Sequence, residues 1–242
     1  MISLQNRLVN FYKRIRLNPD PDIFTLVVLI SIISVSLSFY NNYQIRNGGY
    51  APTNVTANGK KILPVKDLIK KISPDAQSIG SKDAKVVVVA FEDFQCPYCK
   101  RSHDETYSKL KTEYIDTGKV LFVHYDLAFL GPESISSSNA SLCAAEQNKF
   151  WQYRDALYKN QVPEHNVGNF SSENLSKYAK SIGMDVVRFD ECISLNKFEE
   201  EINKNREFAE SYGIGSTPTF VINGQLLKGA RPYTELSTII NN

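Results

Sequence analysis

Cys96-Pro97-Tyr98-Cys99 is the part of this chain whose residue types and spacing can do chemistry. Two thiols two residues apart can close a short disulfide or supply half of a tetrahedral zinc site. The run before them, Val86–Phe91 (VVVVAF), is β-branched and apolar on both faces, as a buried central strand requires. A helical stretch follows to about Thr117 and is closed by Gly118. Cys96 therefore falls at a helix N-terminus, where unpaired N–H groups and the helix dipole favour a thiolate. Cys99, one turn further in, lies within reach of the first sulfur. Zinc would need two more ligands, and Cys143 and Cys192 do not form a second C-x-x-C. Redox exchange through Cys96 and Cys99 is the expectation, with no metal and no separate cofactor. His103, His124 and His165 are scattered and meet no metal spacing. His124 alternates with apolar residues and reads as a satisfied structural histidine.

The surrounding elements must hold that turn in place. Val120–Leu127 (VLFVHYDL) is the next strand, so strand, helix and strand imply a right-handed βαβ unit with parallel strands. From about Ser137 to Tyr212 the pattern is helical, with breaks at Pro163, Gly168 and Gly183. Phe170 and Leu175 flank an N-cap at Ser171 as a hydrophobic staple. Thr219–Ile222 and Gln225–Lys228 flank Asn223-Gly224, a strong hairpin signal, and a last helix starts near Pro232. A βαβ half and a ββα half are thus separated by a long helical block.

Compartment is set by the N-terminus. Residues 23–40 run eighteen positions without charge, Pro or Gly, about 27 Å as a helix and enough to cross a bilayer core. Arg7, Lys13, Arg14 and Arg16 precede it, so residues 1–22 are expected in the cytoplasm and everything after Tyr40 outside it. A cleaved signal peptide is the alternative, although the polar leader is long for one. Residues 41–75 read as a polar tether with one short helix at Val65–Ile72, and 76–242 as the catalytic domain. The chain has 28 basic and 26 acidic residues. Removing the four basic and two acidic residues of the first forty leaves 24 of each sign, so the exported part is formally neutral and suggests no nucleic-acid partner.

FEDFQCPYC, the later Gly215-Ser216-Thr217-Pro218-Thr219-Phe220 and the following Ile222-Asn223-Gly224 resemble the DsbA-like branch of the thioredoxin superfamily. Leu142–Trp151 (LCAAEQNKFW) matches that branch's helical insertion, and the membrane-anchored members are closest in layout. The resemblance implies an α/β thioredoxin-like fold with a helical insertion over about 128–212, working as a thiol:disulfide oxidoreductase. It implies a cis Thr217-Pro218 bond beside the active-site disulfide, with Pro97, Tyr98, Thr217 and Pro218 contacting substrate. It implies exported, cysteine-containing polypeptides as substrates and a membrane DsbB-like, quinone-linked oxidoreductase as reoxidant, with the protein itself a monomer.

Two positions depart from the family. Ala90 stands where a carboxylate is commonly buried, and Glu92, of the same strand parity, reads as a solvated strand-end charge unless the strand end bends inward. Tyr98 stands where strongly oxidising relatives often carry His. Cys143 and Cys192 each lie on an apolar helix stripe and point into the helical block, as two buried thiols or as a structural disulfide. An oxidising compartment favours the disulfide, and some relatives carry one in this insertion. The C-x-x-C bridge is expected to be the exposed one. A reductase or isomerase using the same cysteines, or an anchored metal-binding adaptor, are the rival functions.

Overall fold

The computed structural model describes residues 63–242. The segment 23–40, the residues before it and the tether as far as residue 62 lie outside the described residues. Among the described residues no helix is long and apolar enough to cross a membrane.

Five strands make one mixed sheet. These are β1 (Gln77–Gly80), β2 (Val86–Glu92), β3 (Val120–Asp126), β4 (Thr219–Ile222) and β5 (Gln225–Lys228), in the order β1-β3-β2-β4-β5. β2 and β3 are parallel, with Val88 opposite Phe122 and Glu92 opposite Asp126, and the remaining neighbours are antiparallel. β2 is central, and its residues 88–91 are wholly buried, which accounts for an apolar run without alternation. Helix α1, residues 97–115, returns the chain from β2 to β3; it begins as a regular α-helix and widens into π turns at His103–Tyr107 and Lys111–Ile115. The β4–β5 turn places Asn223 and Gly224 at φ of 48° and 85°, the left-handed pair that a two-residue hairpin demands. Helix α7 (Tyr233–Asn241) packs with α1 on one face of the sheet, where Leu236 and Ile240 meet Val88, Leu110 and Phe122.

Between β3 and β4 lie five helices: α2 (Pro132–Ala145), α3 (Phe150–Asn160), α4 (Ser172–Ser181), α5 (Val186–Ser194) and α6 (Glu199–Ser211). This is the two-part sheet with a helical insertion that the resemblance implies. Ser171 precedes α4 with Phe170 and Leu175 both buried beside it, while Gly183, at φ 72°, turns the chain out of that helix. Cys143 of α2 and Cys192 of α5 are joined, with sulfurs 2.02 Å apart, across 49 residues of sequence. Replacing both by alanine is expected to remove about 4 kcal/mol of chain-entropy stabilisation, read as a lowered urea midpoint. An unchanged midpoint would mean that packing alone holds α2 to α5.

Two features differ from the sequence expectation. β1 (QSIG) was not apparent, because a four-residue, half-exposed edge strand carries no apolar run. The end of the tether forms two short 3₁₀ turns, Val65–Asp67 and Ile69–Lys71, in place of one helix. Leu68 between them is fully buried against Val89, Phe91 and Ile214, and the Ser73 N–H donates to Tyr125 Oη at 3.0 Å. One inserted leucine docks this segment, and the backbone takes the tight turns that aim it inward.

Candidate active site

Cys96 follows β2 and has extended backbone angles, φ −73° and ψ 117°, while Pro97 opens α1. Proline suits this first turn because its missing N–H would have had no helical partner. The Cys99 and Lys100 N–H groups donate to Cys96 O at 3.0 and 3.1 Å, closing the turn that brings the two sulfurs together. Both cysteines are free thiols.

The expectation of an exposed cysteine pair is corrected here. Cys96 keeps 5% of its surface and Cys99 none, whereas Tyr98 between them is 57% exposed. The Thr217-Pro218 bond is cis, and its loop lies over the first sulfur, with Cys96 Sγ 3.5 Å from Thr217 O. Phe94 and Tyr158 belong to the same buried cluster. Of the C-x-x-C turn only Pro97 and Tyr98 are exposed.

The two thiols are pushed in opposite directions. The Cys99 thiol donates to the Cys96 sulfur, and this outweighs burial; Thr217 and the Cys99 and Tyr98 N–H groups add to it and bring Cys96 down to about 6. Cys99 is held well above its ordinary value by burial, by that same hydrogen bond and by the negative charge of Glu92. A stabilised thiolate thus sits one turn from a stabilised thiol.

Glu92 overturns its own expectation. It is 2% exposed and points inward, because α3 supplies a cation for it. Arg154 Nη2 and Nε donate to Glu92 Oε2 at 2.7 and 3.3 Å, and His124 Nδ1 approaches the same oxygen at 2.9 Å. Burial alone would raise the Glu92 carboxyl, but Arg154 and His124 outweigh it and hold it at about 2. His124 lies between Glu92 and Asp126, so its structural reading stands, although both of its partners are ionisable.

Other residues of the site escaped notice in the sequence. The buried Asp93 carboxylate accepts from the Gln95, Phe129 and Leu130 N–H groups and from Ser134 Oγ, fixing the approach to Cys96 on the α2 loop. Gln161 Nε2 donates to Cys96 O at 3.1 Å, tying the end of α3 to the C-x-x-C turn. The available signal was the α3 stripe Phe150, Tyr153, Arg154, Leu157, Tyr158 and Gln161, in which a charge interrupts an apolar face. Such a charge must meet a buried partner, and Glu92 is that partner.

Among the described residues no group of His, Cys, Asp and Glu side chains is arranged to hold a metal ion. A family model described as thioredoxin (Thioredoxin_4) matches residues 73–242. The chain is 30% identical over 159 residues to the probable disulfide bond formation protein D of Bacillus anthracis, covering 62% of this chain and 70% of that protein. It is 29% identical over 175 residues to the Na(+)/H(+) antiporter NhaA 1 of Mycobacterium sp. (strain KMS); that match covers 71% of this chain and spans only 27% of the antiporter's length. Among solved structures, oxidised BdbD from Bacillus subtilis superimposes with a TM-score of 0.65 at 25% identity, covering 69% of this chain and 91% of BdbD.

Proposed function

We propose, for a chain that belongs to the DsbA-like thiol:disulfide oxidoreductases of the thioredoxin superfamily, that Cys96 and Cys99 carry the exchange and that it runs toward oxidation of exported polypeptides. A substrate thiolate attacks Cys96 Sγ, the Cys96–Cys99 bond breaks, and Cys99 leaves with the electron pair. A second substrate thiol then attacks the substrate sulfur of the mixed disulfide and releases Cys96 as a thiolate. A thiolate near pKa 6 is a good leaving group and favours the reduced enzyme, which is what an oxidant requires. Pro97, Tyr98, Thr217 and Pro218 stand beside Cys96, where the Thr217 backbone can pair with an extended substrate chain.

Residues 23–40 anchor this domain outside the cytoplasmic membrane in the same proposal, with a DsbB-like, quinone-linked membrane protein as the electron acceptor. The family's dithiol chemistry needs no further cofactor. One observation carries the proposal: two free cysteines one helical turn apart at the N-terminus of α1, with the cis Thr217-Pro218 loop against the Cys96 sulfur. Alkylation of the reduced protein across pH 4–10 is expected to show Cys96 reacting with an inflexion near 6 and Cys99 remaining unreactive. Two equal inflexions near that of a free thiol would overturn it.

A further inference from the structure

The register of the sheet gathers a set of lysines at the end of the domain away from the cysteines. β2 and β3 both start there, and β1 ends there with Gly80 opposite Leu121. The β4–β5 turn closes at the same end, where the Asn223 N–H donates to Val87 O and the Val87 N–H to Asn223 Oδ1. Lys82 and Lys85 of the β1–β2 connection and Lys119 at the foot of β3 therefore share that end. Lys66 joins them, because a Cβ on Gly224 of the turn would lie 2.9 Å from the Lys66 Cα. All four are exposed, and none of them makes an ion pair among the described residues. Asp67 is paired with Lys70 at 3.7 Å and Asp116 with Lys111 at 2.6 Å, while Glu113 meets the Tyr233 hydroxyl. Asp83 is the acid left to offset the four lysines.

A part of the chain with equal numbers of basic and acidic residues thus concentrates positive charge at one end. Lys85 and Lys119 both line a recess of about 380 Å3, together with Asp83, Tyr114 and Asn241. Asn241 Nδ2 donates to Tyr114 Oη at 2.9 Å and fixes one wall, so the recess is open to an anionic group between the two ammonium groups. Lys66 follows the apolar run 23–40 by 26 residues, so the chain comes from that run to this end of the domain before it reaches the sheet.

We propose that this end of the domain docks on a bilayer surface of anionic phospholipid, with Lys66, Lys82, Lys85 and Lys119 against the headgroup phosphates. The inference rests on the reading of residues 23–40 as a membrane anchor. Each basic residue near an anionic surface strengthens binding about fivefold, which is enough to bias a domain already tethered to that surface. The attraction fades within a Debye length, about 8 Å at physiological ionic strength, so only the lysine-bearing end takes part. β2 runs about 20 Å from Val86 to Glu92 before the chain reaches Cys96, so docking turns the C-x-x-C turn away from the bilayer. Exported chains reach Cys96 in that attitude, whereas an electron acceptor embedded in the membrane has to meet the domain released from it.

The test is the acetylation rate of each lysine, read by mass spectrometry, in the full-length chain on nanodiscs. The discs are phosphatidylcholine alone or an equal mixture with phosphatidylglycerol. Lys66, Lys82, Lys85 and Lys119 are expected to react about fivefold or more slowly on the anionic discs. Exposed Lys159 and Lys177 of the helical insertion should react alike on both. Salt at about 1 M, where the Debye length is about 3 Å, should abolish the difference. The triple variant Lys82→Glu/Lys85→Glu/Lys119→Glu should free Lys66 from protection and leave exchange with glutathione unchanged. The wild-type comparison decides the matter if that variant does not fold. Equal rates for the four lysines on both discs would overturn the docking, as would protection shared evenly with Lys159 and Lys177. A chain that elutes apart from the neutral discs would defeat the anchor reading instead. Capture by the anionic discs alone would then still support the docking, and capture by neither would end both.

Discussion

Arg154→Met is expected to destabilise the protein by about 3–5 kcal/mol, because it strands the Glu92 carboxylate in the interior. Arg154 is wholly buried, and both its Nε and Nη2 are committed to Glu92 Oε2. Its guanidinium also lies over the Tyr107 and Tyr158 rings, 4.3 and 5.1 Å from their centroids, so packing is lost together with the charge. Adding Glu92→Gln to Arg154→Met should recover part of the loss, since the neutral pair no longer carries an uncompensated ion. The wild-type pair also sets an acid limit. The folded pKa of Glu92, about 2, lies below its ordinary 4.5, so its contribution is complete above pH 4.5 and fades as pH falls toward 2. Between those limits stability should drop by roughly 3 kcal/mol from this group alone, and Arg154→Met/Glu92→Gln should lose that portion of the slope. Urea midpoints measured from pH 2 to 7 give both quantities. A loss under 1 kcal/mol for Arg154→Met would show that Glu92 is not held by this cation.

Cys96→Ser is expected to reduce disulfide exchange to the uncatalysed background, and Cys99→Ser to halt it halfway. Cys96 has the lowered pKa and lies against the Thr217-Pro218 loop, where an incoming chain would be held. Serine cannot form the mixed disulfide, so no later step compensates. With Cys99 gone no Cys96–Cys99 bridge forms, but the Cys96 thiolate can still attack a disulfide of an exported protein, expelling one of its sulfurs and bonding to the other, and no Cys99 thiol is present to release it. Non-reducing gels of cells expressing Cys99→Ser should show reductant-sensitive adducts with exported proteins, and Cys96→Ser should show none. Adducts on Cys99 in the Cys96→Ser protein would reverse the assignment of the entering sulfur.

Much of this arrangement was legible in residue order. Val86–Phe91 could only be a buried strand, Asn223-Gly224 could only turn a hairpin, and Cys96-Pro97-Tyr98-Cys99 sat where a strand must hand over to a helix. Those signals are local, because each depends on the covalent neighbours of the residue concerned. The charge network under Cys99 was not legible for the opposite reason. Glu92 and Arg154 are 62 positions apart, and whether Glu92 turns inward is decided by what α3 offers on arrival. Strand parity alone placed Glu92 on the face of Ala90, but burial of a carboxylate needs a cation, and nothing near it in sequence supplies one. The burial of Cys96 could not be read from its own neighbours, since the loop against it comes from Thr217, 121 residues later, and only the family resemblance placed that loop beside the disulfide.

The direction of exchange is settled most directly by the reduction potential of Cys96–Cys99. Each 30 mV corresponds to about 1.4 kcal/mol for a two-electron couple, so stabilising the Cys96 thiolate raises the potential. With Cys96 near 6, between about 7 for thioredoxin and about 3.5 for the most oxidising DsbA, the potential should fall between about −270 and about −120 mV. Tyr98 supplies no positive charge to push it to the upper end. Equilibrating the full-length protein with glutathione buffers and counting thiols at Cys96 and Cys99 gives the value. A potential well above about −270 mV is the predicted result, and one at or below it would contradict the account and make the protein a reductase.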